Sequence, residues 1–142
     1  MASALLTQLT QLWHDGIPLA KAMGIRADAF EDGRFTTTLP FAANQNHHQS
    51  QFAGSIYSQC TLTGWGRVWL ALQAQGLDGA IVLAHGDIRY RKPVLSALPC
   101  VCTASELDLS ALRAGRNAKI SLTVQIGDCA EFVGDYVVMA PR

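Results

Sequence analysis

Apolar residues recur at helical spacing over residues 3–14, and the pattern ends at Gly16. The apolar positions of this predicted helix are Leu5, Leu9, Leu12 and Trp13. Residues 17–24 predict a second, short helix, because Pro18 suits a first helical position. Residues 34–39 then alternate with period two, which predicts a strand.

A much longer helix is predicted from about Ala53 to Gln75, a segment with no proline and no period-two alternation. Apolar residues lie on nearly every side of it, as is typical of a buried helix. They are Ile56, Tyr57, Cys60, Leu62, Trp65, Val68, Trp69, Leu70 and Leu72. The same helix also carries small polar residues and two glycines, an unusual composition for a buried helix. These residues are Ser55, Ser58, Thr61, Thr63, Gly64 and Gly66.

The remaining residues predict strands. The clearest covers residues 118–126, with Ala118, Ile120, Leu122, Val124 and Ile126 on one face. Residues 80–90 predict a strand with Ala80, Val82, Ala84, Gly86, Ile88 and Tyr90 on one face. Residues 100–109 and 130–140 predict two more. Alternation with one polar face indicates an antiparallel sheet, so we expect a single α+β domain over residues 1–142, with a curved antiparallel sheet wrapped around one long central helix.

The composition narrows the function. Only 15% of the residues are charged and the formal net charge is zero, so the basic excess of a nucleic-acid-binding protein is absent. The 49% of hydrophobic residues is enough for a core, and because so few residues are charged, a buried subunit interface is expected. The four cysteines, at positions 60, 100, 102 and 129, form no CxxC pair, and we interpret them as reduced, buried thiols that hold no metal.

No apolar run approaches the ~20 residues that span a bilayer, and the N-terminus lacks an export signal, so we expect a cytoplasmic protein with no membrane partner.

Three motifs carry a family resemblance. They are "IPLAKAMGI", the block "FAGSIYS" followed by "LTGWG", and "IRYRKPV" after the long helix. With these motifs, residues 17–140 resemble the hotdog superfamily, and within it the YiiD C-terminal domain family of thioesterase-like proteins. The resemblance implies a hotdog fold and a homodimer or a dimer of dimers (a homotetramer). It also implies an acyl thioester bound between the start of the long helix and the partner subunit.

The start of the long helix is the candidate site. Its unpaired N–H groups near Gly54 and Ser55 are predicted to hold a thioester carbonyl, and glycine permits close approach of the ligand. Ser55, Ser58 and Thr61 share one face of the helix. Their hydroxyls either line a ligand tunnel or bond back to carbonyls of the helix. Phe52 and Tyr57 flank this region as candidate substrate-binding residues.

The sequence departs from a pattern common among hotdog thioesterases, which carry His-Gly-Gly at the helix start and an acid two turns later. These positions fall on Phe52-Ala53-Gly54 and on Thr61, and residues 33–77 contain no carboxylate. Asp87 is the alternative candidate for a base, unless it merely pairs with a neighbouring arginine on a solvated strand face.

Other polar residues near the site have two interpretations each. Asn46 either positions the carbonyl or a water, or forms a turn. His47 and His48 belong either to a surface loop or to a hydratase site. Arg89, Arg91 and Lys92 are expected either to meet the phosphates of coenzyme A or phosphopantetheine, or to lie in solvent.

The sequence therefore predicts a thioester hydrolase that needs no metal and no cofactor other than the coenzyme A or phosphopantetheine of its substrate. Two alternatives stay open. One is a hotdog enoyl-thioester hydratase or dehydratase, and the other is a non-catalytic module that binds acyl thioesters.

Overall fold

The computed structural model describes residues 2–142, which form four helices and six strands. In chain order, the helices are α1 Ala2–Gly16, α2 Pro18–Met23, α3 Ala53–Gln75 and α4 Ser110–Arg113. The strands are β1 Arg26–Glu31, β2 Arg34–Thr38, β3 Ala80–Tyr90, β4 Cys100–Thr103, β5 Ala118–Ile126 and β6 Ala130–Met139. The six strands form one curved antiparallel sheet in the order β1-β2-β4-β5-β6-β3, and α3 is its long central helix. This is the predicted hotdog fold.

Helix α3 begins and ends where the sequence predicts. It starts after Phe52 and ends at Gly76, which adopts the left-handed conformation and donates its N–H to the carbonyls of Leu72 and Gln73. Its side chains are buried on most sides, as expected for a helix enclosed by a sheet. A narrower strip, at Gly54, Ser58 and Trp65, is only half-buried, and this strip is the side of α3 that the chain leaves uncovered.

The two glycines around Trp65 allow close packing. A Cβ atom on Gly64 would lie 2.2 Å from the hydroxyl oxygen of Tyr136, and one on Gly66 would lie 2.9 Å from the ring of Trp13. Neither ring has room to move away, because Tyr136 and Trp13 are almost fully buried. Small residues in α3 therefore let the sheet and α1 approach the helix backbone.

A chain of buried polar side chains connects the loop before α3 with the core. Gln51 donates to Gln59 over 3.3 Å, and Gln59 donates to the Thr37 hydroxyl over 3.3 Å. The hydroxyls of Thr37 and Thr63 are 2.8 Å apart, and Thr63 also bonds back to the Gln59 carbonyl. Thr63 thus follows the back-bonding pattern of helical threonines. These hydrogen-bonded side chains hold the loop that leads into α3 in place.

Five details differ from the prediction. Two concern residues 100–113: β4 ends at Thr103 although a strand was predicted over residues 100–109, and the short helix α4 follows where only strands were predicted. Strand β1 was not predicted, since it is short and mostly exposed. The inner side of α1 consists of Leu6, Leu9 and Trp13, while Leu12 is 45% exposed. In β3 the register shifts between Leu83 and His85, so the inward face changes parity there.

The register shift corrects the predicted face of β3. Ile81 is buried and Leu83 is half-buried before the shift, and Gly86 and Ile88 face inward after it. Residues 80, 82 and 84, predicted to share the inner face with residues 86, 88 and 90, are exposed instead. Counting alternate residues across a bulge assigns one half of a strand to the wrong face.

Candidate active site

The first turn of α3 has no side-chain cap. Phe52 occupies the N-cap position and offers no side-chain acceptor, and its own N–H donates to the Asn44 carbonyl over 2.8 Å. The first N–H to find a helical partner is that of Ile56, which donates to the Phe52 carbonyl. An uncapped helix start presents N–H groups and partial positive charge to whatever lies in front of it.

Gly54 lies beneath the ring of Phe52. A Cβ atom at Gly54 would lie 2.4 Å from the edge of that ring, and Phe52 itself is 56% exposed. The Phe52 ring therefore covers Gly54 on one side. Its other side faces solvent, so the ring has room to change rotamer.

A cavity of about 300 Å³ lies on one side of the helix start, and we call it the polar cavity because polar and cationic side chains lie among its apolar lining residues. Its lining comprises Asn46, Ser50, Gln51, Ala53, Ile56, Tyr90, Arg91, Lys92, Pro93 and Val94. The Tyr90 hydroxyl donates to the Ala53 carbonyl over 3.1 Å, and burial raises the pKa of Tyr90. This cavity joins the first turn of α3 to the predicted basic segment.

The cations of this cavity already have acidic partners. Arg91 lies 3.3 Å from Glu131, and Lys92 donates to Asp128 over 2.5 Å. The hydrogen bond from Lys92 lowers the pKa of Asp128 and raises that of Lys92. Both pairs are exposed, so an anionic ligand could compete with these carboxylates at small energetic cost.

An apolar cavity of about 300 Å³ lies on the other side, between α2 and α3. Its lining comprises Ile17, Leu19, Ala20, Met23, Tyr57, Ser58, Thr61 and Leu62. Within the described chain, the buried Thr61 hydroxyl has no hydrogen-bond partner. It does not bond back to the helix as Thr63 does, so a polar atom at this cavity is left for a ligand or a water. Tyr57 packs edge-on against Phe132, with ring centroids 5.3 Å apart.

Asn46 forms the turn before the helix. Its side-chain oxygen accepts from the N–H groups of His48 at 2.8 Å and Ser50 at 3.2 Å, and its amide donates to the Ser50 hydroxyl. These bonds match the turn-forming interpretation. Asn46 still lines the polar cavity, so a positioning role stays a prediction.

The two histidines lie in the exposed part of this loop. The rings of His47 and His48 pack against each other with centroids 3.9 Å apart. Across residues 2–142, no cluster of three metal-ligating side chains occurs. The arrangement matches a surface loop.

The structure separates Asp87 from the helix start. His85, Asp87 and Arg89 are exposed and pair with Asp135, Val133 and Glu131 of β6, on the outer face of the sheet. The inner face at this level is Gly86, which packs under the Tyr57 hydroxyl. Within one subunit, Asp87 and Arg89 point away from α3.

We expect the variant Asp87→Asn to change turnover by less than about threefold, because the carboxylate is on the far face of the sheet. The variant is compared with the wild type at saturating and at low substrate concentration. A loss of 100-fold or more, typical of a missing catalytic group, would instead place Asp87 in the site through a partner subunit.

Sequence reasoning missed two polar residues beside the site. Asn44 is buried, and its amide donates to the carbonyls of Met23 at 2.9 Å and Pro40 at 2.8 Å, which fixes α2 against the loop. Gln51 is buried and lines the polar cavity. No pattern in the sequence marks either residue as buried, since glutamine and asparagine are usually exposed.

The comparison with protein families decides the assignment. The family described as "Putative thioesterase (yiiD_Cterm)" matches residues 6–140, almost the whole chain. The chain belongs to this family. A solved structure of a putative thioesterase from Shewanella oneidensis is 45% identical, with a TM-score of 0.93, and the match covers 96% of this chain and 99% of that one.

More distant structures share the fold of this family member. A probable thioesterase from Pseudomonas aeruginosa is 21% identical with a TM-score of 0.75, covering 95% of this chain and 96% of that one. A thioesterase from Haemophilus influenzae is 16% identical with a TM-score of 0.73, covering 95% and 90%. Among the helices of residues 2–142, none has the length and apolarity needed to cross a membrane.

Proposed function

We propose that the protein hydrolyses an acyl thioester at the start of α3. The observation that carries the proposal is the uncapped first turn, flanked by a polar cavity with two cations and by an apolar cavity. A thioester substrate matches this arrangement of one polar and one apolar cavity, since its polar carrier arm and its apolar acyl group meet at one carbonyl. Membership of the thioesterase family supports the same reaction.

In this arrangement the carrier arm, from coenzyme A or phosphopantetheine, occupies the polar cavity. Its phosphates displace Glu131 and Asp128 from Arg91 and Lys92. The Phe52 ring rotates away from Gly54, so that the carbonyl can approach the first turn of α3. The acyl group enters the apolar cavity beside Tyr57, Ser58 and Thr61.

The reaction requires water to attack the carbonyl carbon. Negative charge then forms on the carbonyl oxygen, where the N–H groups of Gly54 and Ser55 stabilise it. The carbon–sulfur bond breaks, the thiolate takes up the proton that the water loses, and the products are a free acid and a thiol. The unpaired Thr61 hydroxyl, with Ser58 and Asn46 nearby, orients the water.

We expect turnover to show no titration step between about pH 5 and 8. The two cavities at the helix start contain no carboxylate and no imidazole in the part of the chain described, and these are the groups that titrate between about pH 4 and 7. Initial rates across this range test the expectation. An apparent pKa in the acidic range would show that a base reaches the site from a partner subunit.

We propose that the functional unit is a homodimer or a dimer of dimers. Strand β3 has eleven residues, ends the sheet and pairs on one side with β6. Its free edge suits antiparallel pairing with the same strand of a second copy. The half-exposed strip of α3 beside it supports the same assembly.

Light scattering coupled to size-exclusion chromatography tests the assembly. We expect at least twice the chain mass of 15.3 kDa at micromolar concentration. A monomer under these conditions would contradict the dimer and any site shared between subunits.

A non-catalytic module that binds acyl thioesters is the second candidate, and the missing carboxylate favours it. A panel of acyl-CoA substrates with free thiol detected separates the two. Hydrolysis predicts equal amounts of thiol and free acid, released in proportion to protein concentration. Saturable binding with no release of thiol would establish the binding module and contradict the hydrolase.

A further inference from the structure

The buried network beside the polar cavity has a fixed order of donors and acceptors. Its members are Thr63, Thr37, Gln59 and Gln51, and all four residues are buried. The Thr63 hydroxyl donates its single proton to the Gln59 backbone carbonyl over 2.6 Å. The Thr37 hydroxyl, 2.8 Å from that of Thr63, is therefore the donor between the two. Its proton is used in this bond, so the hydroxyl oxygen of Thr37 acts as an acceptor toward Gln59.

The side-chain amide of Gln59 is oriented by Thr37. Its NH2 group lies 3.4 Å from the Thr37 carbonyl oxygen and 3.3 Å from the Thr37 hydroxyl oxygen, and both of these atoms accept. The opposite orientation would place the Gln59 side-chain oxygen against the Thr37 carbonyl oxygen. The Gln59 oxygen instead accepts from the NH2 group of Gln51 over 3.3 Å. The nitrogen of Gln51 thus faces Gln59, and the oxygen of Gln51 lies on the other side of the amide.

The side-chain oxygen of Gln51 is available to a ligand. It accepts no hydrogen bond in the part of the chain that the structure describes, and it is not one of the fully buried polar atoms. Since Gln51 lines the polar cavity, this oxygen is open to that cavity. Arg91 and Lys92 only donate, and the side-chain oxygen of Asn46 already accepts from two N–H groups. Gln51 therefore gives the polar cavity an acceptor whose position the network holds.

We propose that Gln51 is a specificity-determining residue of the polar cavity, and that its side-chain oxygen accepts a hydrogen bond from an amide N–H of the carrier arm. This inference rests on the proposed function, because it takes the arm to lie in the polar cavity. The arm that coenzyme A and phosphopantetheine share has two amide groups, and the nearer one is two carbon atoms from the sulfur. Gln51 shortly precedes Gly54 in the chain, so it is the near amide that it meets. A carrier without a donor at this position leaves the oxygen unpaired.

The preference for an amide is measured by binding, with ligands that the protein cannot hydrolyse. The ligands are oxohexyl thioethers of coenzyme A, in which a CH2 group separates the carbonyl from the sulfur. One keeps both amides, and in the second an oxygen atom replaces the N–H of the near amide. The wild type should bind the first at least about fivefold more tightly by calorimetry, because the ester leaves the Gln51 oxygen without a donor. A third ligand, with the same replacement at the far amide, should bind like the first.

The variant Gln51→Met removes the acceptor and retains a side chain of similar length. It should bind the near-amide and near-ester ligands with affinities within about twofold of each other. A structural role alone would weaken both ligands equally and leave the preference intact. Gln45→Met is the matched control, because Gln45 pairs with Gln51 in the same loop and its side chain is exposed, so this variant should keep the preference. Melting temperatures are measured beside the affinities, and the comparison of ligands in the wild type needs no variant to fold.

The outcomes separate this inference from the proposed function. Equal affinities for the near-amide and near-ester ligands in the wild type would overturn the role of Gln51, as would a preference that persists in a folded Gln51→Met protein. A loss of affinity at the far amide alone would contradict the assignment to the near one. Failure of all three ligands to bind would contradict the proposed function together with this inference. Thioesters that bind without being hydrolysed would refute the hydrolase alone, because the thioethers report binding whether or not the protein cleaves thioesters.

Discussion

Gly64→Ala should lower the free energy of unfolding by about 2–3 kcal/mol, the upper part of the range of about 1–3 kcal/mol that is typical of overpacked cores. The added Cβ would lie 2.2 Å from the Tyr136 hydroxyl and 2.7 Å from its ring. Tyr136 is fully buried, and its hydroxyl donates to the Thr61 carbonyl over 2.7 Å, so the ring cannot shift without losing that bond. Urea denaturation of both proteins at one fixed concentration measures the difference.

Gly16→Ala is the matched control. A Cβ atom at Gly16, the last residue of α1, meets no atom within 4 Å. Because alanine is favoured over glycine in a helix by up to about 1 kcal/mol, this variant should be as stable as the wild type or slightly more stable. A Gly64→Ala protein that matched the Gly16→Ala protein would contradict the packing described for α3.

Gly54→Val should reduce turnover by ~100- to 1000-fold, the loss seen when an oxyanion donor is removed. Valine would stand where the carbonyl approaches the first turn. The fold should survive, because the nearest atoms to the new side chain belong to the Phe52 ring, which is exposed and can move. Turnover and melting temperature are measured together on a thioester that the wild type hydrolyses.

The variant Phe52→Ala separates two causes of that loss. If valine acts only by displacing the Phe52 ring, then Phe52→Ala alone should lower turnover as much as Gly54→Val. If valine blocks the carbonyl, the double variant should remain inactive while Phe52→Ala retains activity. A stable Gly54→Val protein with wild-type turnover would show that the thioester carbonyl does not bind at the start of α3.

The fold was largely predictable because its strongest signals are local. Apolar residues on nearly every side of residues 53–75 indicated a buried helix, and the alternation of residues 118–126 indicated a strand with one wet face. The β3 face was predicted wrongly, because a bulge between Leu83 and His85 leaves no mark in an alternating pattern. β1 has too few buried residues to produce a pattern.

The surroundings of the site were harder to predict because they depend on contacts between distant segments. Sequence spacing placed Ser58 and Thr61 on one face of α3, and the structure shows that this face is half-exposed. It gave no indication that Thr63 bonds to Thr37, or that Gln59 connects both to Gln51. The small polar residues of α3 thus divide between a buried network and a cavity wall, a division that only the tertiary structure reveals.

The central claim is that N–H groups at the start of α3 hold the thioester carbonyl, and the infrared spectrum of a bound carbonyl tests it most directly. The probe is an amide analogue of the substrate carrying ¹³C at the acyl carbonyl, which the protein does not turn over. Hydrogen bonds from Gly54 and Ser55 in a water-poor site should lower the carbonyl stretching frequency below its value in water. A bound carbonyl with a frequency equal to or above that in water would contradict the claim.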